Sequence, residues 1–276
     1  MTTTRIHTAQ LTATLLAERT SITLSAGDRQ GLLGVLAQTG ATGPDLLRVD
    51  GFTLSAGFDA TTTPFSWNPR LAKRTLGLAA LRTLVHGAAK NPIEACEAVV
   101  AEAITRATSG AERSGSLGSW LASAPKPIRT MAVASASSYA TELWSALEWS
   151  AMAELPTIGG SDDTVVHRPS GLLLKGRAEV IVHGSDERGS SARLLVLGGT
   201  PRPEDLLTLG AAALTATLAD RDGQAPSVMV GWHPAAGQAV VLPVDHIVLR
   251  RAAAGIRQRV TTWRSSLAEV PATVAA

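Results

Sequence analysis

One cysteine, Cys96, stands in 276 residues, which excludes a disulfide framework and a thiolate metal cluster. It lies in an alanine-rich helical pattern and reads as a small core residue. Charge is scarce as well: Asp, Glu, Lys and Arg make up 17% of the chain, against about a quarter in a typical domain. The net charge of +2 argues against a general polyanion binder. Lysine is nearly missing, with only Lys73, Lys90, Lys126 and Lys175 among 25 basic residues. Arginine in place of lysine, beside abundant alanine and glycine, reflects a GC-rich genome before it reflects phosphate contacts. No run of about 18 apolar residues occurs, and residues 1–21 carry Arg5, His7, Glu18 and Arg19 around a short apolar stretch. Neither a membrane span nor a secretory leader is expected, and the default is a cytoplasmic globular protein. Its 45% hydrophobic residues suffice for one large core or two smaller ones.

Turn signals dominate the first third, with Gly31 to Ala37 the one segment that looks helical. From Asn68 helix signals are firm. Asn68-Pro69 and Asn91-Pro92 each place a capping residue before a proline at the first helical position. Leu117 to Leu121 and Ile128 to Trp149 read as two further helices, with Trp144 and Trp149 packing on a sheet. After Pro156 the pattern becomes strand-like: Thr164 to His167, Leu172 to His183 and Arg193 to Leu197. A helix follows from Pro203 to Ala219, with Glu204 and Asp205 in its first turn. Val228 to Trp232 and Gln238 to Leu242 form a strand pair, and Asp245 caps a last helix reaching about Leu267. This order is α/β. It predicts a mainly helical N-terminal region, 1–126, packed on an α/β core, 127–276, that ends in a helix.

Within that core, Gly176-Arg177-Ala178-Glu179 on one strand is followed by a second strand, by Pro201-Arg202-Pro203-Glu204 and by an apolar helix. The arrangement resembles the RecB-like branch of the PD-(D/E)xK nucleases over roughly residues 164–244. The resemblance implies a central mixed sheet flanked by helices, with Glu179 in the position of the first metal-binding acid. In the family the second strand carries an Asp-x-Lys pair. The acids hold Mg²⁺, which polarises the scissile phosphate and generates hydroxide, and the lysine positions the water. Here Leu195 and Leu197 occupy those positions, and Gly210, Ala211 and Ala212 occupy the region of polar and aromatic helix residues. Leucine cannot bind Mg²⁺, so no catalytic residue is assigned and Glu179 is a relic acid position. Relocated ligands would have to come from Glu142, Glu148, Glu204 or Asp205, which suit solvated faces and a helix start. Glu179 itself is read as a salt-bridge partner of Arg177, ahead of a Glu179/His183 metal pair.

The expected function is a catalytically inactive PD-(D/E)xK-like binding or scaffold protein, partnered by nucleic acid or a DNA-processing protein. It needs no cofactor; Mg²⁺ enters only if the chain is an active nuclease with relocated ligands. A protein–protein module without a nucleic-acid role is the remaining alternative. Arg250, Arg257 and Arg264 recur every seven residues along the last helix and form a candidate phosphate-tracking stripe. Arg70 and Lys73, beside Phe65 and Trp67, form a second candidate for nucleic-acid contact. The commoner roles are a solvated helix face for the first set and a hydrophobic staple flanked by solvated charges for the second.

Overall fold

A computed structural model describes residues 4–40, 46–58, 66–113, 115–152, 156–159, 163–184 and 191–268. In chain order the elements are β1 (Thr4–His7), α1 (Leu11–Leu16), α2 (Ala26–Ala37), β2 (Leu47–Val49), α3 (Gly51–Ala56), α4 (Pro69–Val85), α5 (Pro92–Thr108), α6 (Leu117–Ser123), α7 (Lys126–Ala146) and β3 (Pro156–Ile158). There follow β4 (Thr164–His167), β5 (Leu172–Lys175), β6 (Val180–His183), β7 (Ser191–Val196), α8 (Asp205–Ala219), β8 (Val228–His233), β9 (Gln238–Pro243) and α9 (His246–Ala268). The protein is α/β. It divides into two compact units, one of Met1–Thr61 with Gly160–Ala276 and one of Thr62–Gly159.

This division differs from the predicted 1–126 and 127–276. The reason is long-range pairing. β1 runs antiparallel to β9, with Arg5 opposite Val240, so Thr4–His7 belongs to the sheet. β2 pairs in parallel with β5, which brings a second early segment into the same unit. The long helix α7, expected in the core, packs instead with α4 and α5.

In the α/β unit, β9, β8, β7 and β6 are neighbours in one sheet. β6 and β7 are antiparallel, β7 and β8 parallel, and β8 and β9 antiparallel. The parallel step is bridged by α8, the crossover such a connection requires. Central β8 is buried along its whole length, as a strand covered on both faces must be. A smaller sheet holds β2, β5 and β4. The expected single strand Leu172 to His183 is therefore two strands in different sheets. The break falls at Gly176, whose backbone lies so close to α8 that a Cβ would meet Thr215 Cβ at 3.1 Å and the Ala212 carbonyl at 3.2 Å.

α8 is buried from Thr208 to Leu218 and packs with α9, whose Leu249, Ala253, Ile256 and Val260 form the apolar stripe that the sequence predicts. Asp245 caps that helix by accepting the Val248 N–H at 2.7 Å.

The unit of residues 62–159 is built mainly of helices. Asn68 and Asn91 both cap as expected, Asn68 accepting from Leu71 N and Asn91 from Ile93 N and Glu94 N. Trp144 and Trp149 stack on each other, 6.0 Å between centroids, and Trp149 Nε1 donates to the Trp144 carbonyl. No helix among the described residues is long and apolar enough to cross a membrane.

Candidate functional site

The end of β7 is where a metal would sit if the resemblance extended to chemistry. Strand side chains alternate, so Leu195 and Leu197 share one face, and that face is turned to α8. Leu195 is 1% exposed and belongs to the core cluster with Leu209. Leu197 is half-buried, packs against the same cluster, and donates its N–H to the Trp232 carbonyl at 2.7 Å. Opposite Leu195 in the register stands Gly231. A Cβ there would come within 2.7 Å of Leu197 Cδ1 and 3.2 Å of both Leu209 methyl groups. The absent side chain of β8 is the space that the two leucines fill. Burying a leucine stabilises a fold by about 1.5–3 kcal/mol, and this packing leaves apolar contact where a metal and its water would need room.

Glu179 stands beside this face and is fully buried. Its N–H donates to the Leu194 carbonyl at 2.8 Å, and its Oε2 accepts the Val196 N–H at 2.9 Å. Oε1 lies 3.9 Å from Arg177 Nε, the ion pair expected from the sequence. The carboxylate thus fastens the start of β6 to β7. His183 at the far end of β6 is exposed, and no group of three His, Cys, Asp or Glu that could hold a metal ion occurs among the described residues.

Sequence reasoning missed a second polar contact, where parallel β7 and β8 end and α8 begins. His233, fully buried, places Nδ1 3.2 Å from the Gly198 carbonyl. Its Nε2 lies 3.2 Å from Asp205 Oδ2, without the alignment of a hydrogen bond. Asp205 Oδ2 also accepts the Arg202 N–H at 2.6 Å. Asp205 is legible as a first-turn acid of a helix; its histidine neighbour, 28 residues later in the chain, carries no local signal.

The arginine stripe of α9 separates into different roles. Arg250 is 71% exposed and 4.0 Å from Asp28. Arg257 donates to the Gln38 side chain. Arg264 is half-buried and donates to the carbonyls of Thr39, Gly40 and Ser170, with burial lowering its pKa. It closes the chain that leaves α2, as a cation at a helix C-terminus does. Arg29 plays the same part for α8, donating to the carbonyls of Leu218, Asp220 and Arg221 at 2.8–3.0 Å. Two of the three stripe arginines are therefore engaged inside the unit.

Arg70 and Lys73 belong to α4 in the other unit. Arg70 is exposed, and Lys73 Nζ stands 5.3 Å from the centre of the Tyr139 ring, a cation–π contact. Trp67 Nε1 donates to the Gly115 carbonyl; Phe65 lies outside the described residues. Comparison of the chain with protein families, with curated proteins and with solved structures gave no match.

Proposed function

We propose that this chain is a catalytically inactive PD-(D/E)xK-like protein that acts as a binding or scaffold module, with nucleic acid or a DNA-processing protein as its partner. The observation that carries this reading is the arrangement at the end of β7. Glu179, the acid in a motif position, has its carboxylate on the Val196 amide, and Leu195 stands in the core where the second acid would be. The order of β6, β7 and α8, an acid-bearing segment, a second strand and then an apolar helix, supports the fold half of the reading. A buried leucine offers no oxygen to Mg²⁺, which supports the inactive half.

Incubation of the full chain with labelled single- and double-stranded DNA and Mg²⁺ or Mn²⁺ tests both halves. We expect no cleavage above the protein-free control and a mobility shift that weakens steeply with salt. Cleavage that disappears in Glu179→Ala would establish the active nuclease instead. The engagement of Arg257 and Arg264 with Gln38 and with the carbonyls of Thr39 and Gly40 favours a second reading, a protein–protein module without a nucleic-acid role. That reading expects no mobility shift at moderate salt. A shift that is lost in Arg250→Glu or Arg70→Glu excludes it.

A further inference from the structure

A groove of about 780 Å³ lies between α5 and α7, entirely within the helical unit. Its walls are mainly apolar. Ile93, Ile104 and Val133 line it, and Ile93 is 59% exposed. Two lining threonines turn their hydroxyls back onto their own helix. Thr130 Oγ1 donates to the Lys126 carbonyl at 3.0 Å and Thr141 Oγ1 to the Ser137 carbonyl at 2.8 Å, so both hydroxyls already have partners.

The helices run antiparallel along it. Burial raises the pKa of the Cys96 thiol and the nearby Ser137 side chain works against that rise, without an aligned hydrogen bond between them. With Cys96 beside Ser137, only an antiparallel alignment keeps 93–104 of α5 and 126–141 of α7 in one groove. Ile104 then lies toward the end that carries Lys126 and Arg129, while Glu97 stands toward the other. The basic end is also the N-terminus of α7, which has no acidic residue in its first turn and no side-chain cap, so its helix dipole adds positive potential there. Among the described residues, no ion pair engages Glu97, Lys126 or Arg129.

We propose that this groove docks one amphipathic helix of a partner protein, laid with its N-terminus toward Glu97 and its C-terminus toward Lys126 and Arg129. The lined part of α5 spans roughly 17 Å at 1.5 Å per residue, the length of a three-turn helix. A helix in that direction presents its positive end to the carboxylate and its negative end to the two cations and the α7 N-terminus. Its apolar stripe at i, i+3, i+4 and i+7 covers the exposed Ile93 and the wall between the helices. The partner is thus an amphipathic segment with basic residues in its first turn and acidic residues in its last. This site is independent of the nuclease-like reading of the other unit.

The test uses the full chain and two labelled helical peptides of three turns with the same leucine stripe. One has lysines in its first turn and glutamates in its last; the other has these charges exchanged. Because the charges of the first peptide oppose its own helix dipole, both peptides are cross-linked to equal helicity. Fluorescence anisotropy is then expected to give saturable binding of the first and binding of the second about tenfold weaker, since several contacts with Glu97, Lys126 and Arg129 change sign together. Arg129→Glu is expected to narrow or invert that preference. Ala134→Trp, which fills the groove from an exposed lining position, is expected to abolish binding while leaving the thermal midpoint unchanged. Failure of both peptides at high micromolar concentration, equal binding of the two, or binding that survives Ala134→Trp overturns the proposal. So does a concentration-dependent dimer that is lost in Ala134→Trp, which would make the occupant a second copy. Saturable binding of a long-chain fatty acid in place of the peptides also overturns it.

Discussion

In the α/β unit, buried and half-buried charges answer backbone groups, whereas in the helical unit three charges stand at the rim of an open apolar groove. Glu179 accepts the Val196 amide, Arg264 donates to three carbonyls and Arg29 to three more. Each such contact satisfies a polar group whose burial would otherwise cost about 1–3 kcal/mol. Glu97, Lys126 and Arg129 have no such commitment among the described residues. The carboxylate of Glu179 and the guanidinium groups of Arg264 and Arg29 hold the first unit's fold together, whereas Glu97, Lys126 and Arg129 are the charges that the docking proposal assigns to a partner. The same residue types carry different meanings, and burial with hydrogen bonding tells them apart.

Breaking the first half of this contrast gives the largest effects. Leu195→Asp, which supplies the acid that the PD-(D/E)xK resemblance would place there, puts an unpaired carboxylate in the core and is expected to cost at least about 3–5 kcal/mol or to prevent folding. Leu195→Ala, which leaves only a cavity, should cost about 2–5 kcal/mol. Urea unfolding measures both, and an aspartate there that left stability unchanged would mean that the site is not core. Glu179→Ala removes the partner of the Val196 N–H and should cost about 1–3 kcal/mol. Arg264→Ala should cost about 1–2 kcal/mol through the carbonyls it leaves.

Against these, Arg250→Ala, Glu97→Ala and Arg129→Ala should each stay within about 0.5 kcal/mol. A large loss in any of the three would erase the contrast. The smallest expected effect is one of pH. Burial lowers the pKa of His167, so the unfolded chain takes up its proton at a higher pH than the folded one. Stability is then greatest above the ordinary histidine value of about 6.5 and falls as the pH drops through the lowered one. That acid slope should become shallower in His167→Asn.

Much of the architecture was legible because its signals are local. Asn68-Pro69, Asn91-Pro92 and Asp245 each start a helix as written, since a side-chain oxygen, a fixed proline φ and the free amides of a first turn lie within four residues. What escaped depends on distant partners. Nothing in Leu172 to His183 announces a break, because the cause is the approach of α8 to Gly176. The N-terminal strand gains its place from β9, more than two hundred residues away. At the candidate site, Leu195, Leu197 and the ion pair of Glu179 with Arg177 were legible as departures from a motif. The Val196 amide bonded to Glu179 and the contact of His233 with Asp205 were not. The regular arginine spacing on α9 was visible, but the carbonyls that receive Arg264 belong to another part of the chain.

Glu179 clasps the start of β6 to β7, and on the proposed reading its site takes no metal. A calorimetric titration of the full chain with Mn²⁺ tests it most directly. No saturable heat of binding is expected, in the wild-type protein or in Glu179→Gln. A saturable site in the wild type that is lost in Glu179→Gln would contradict it.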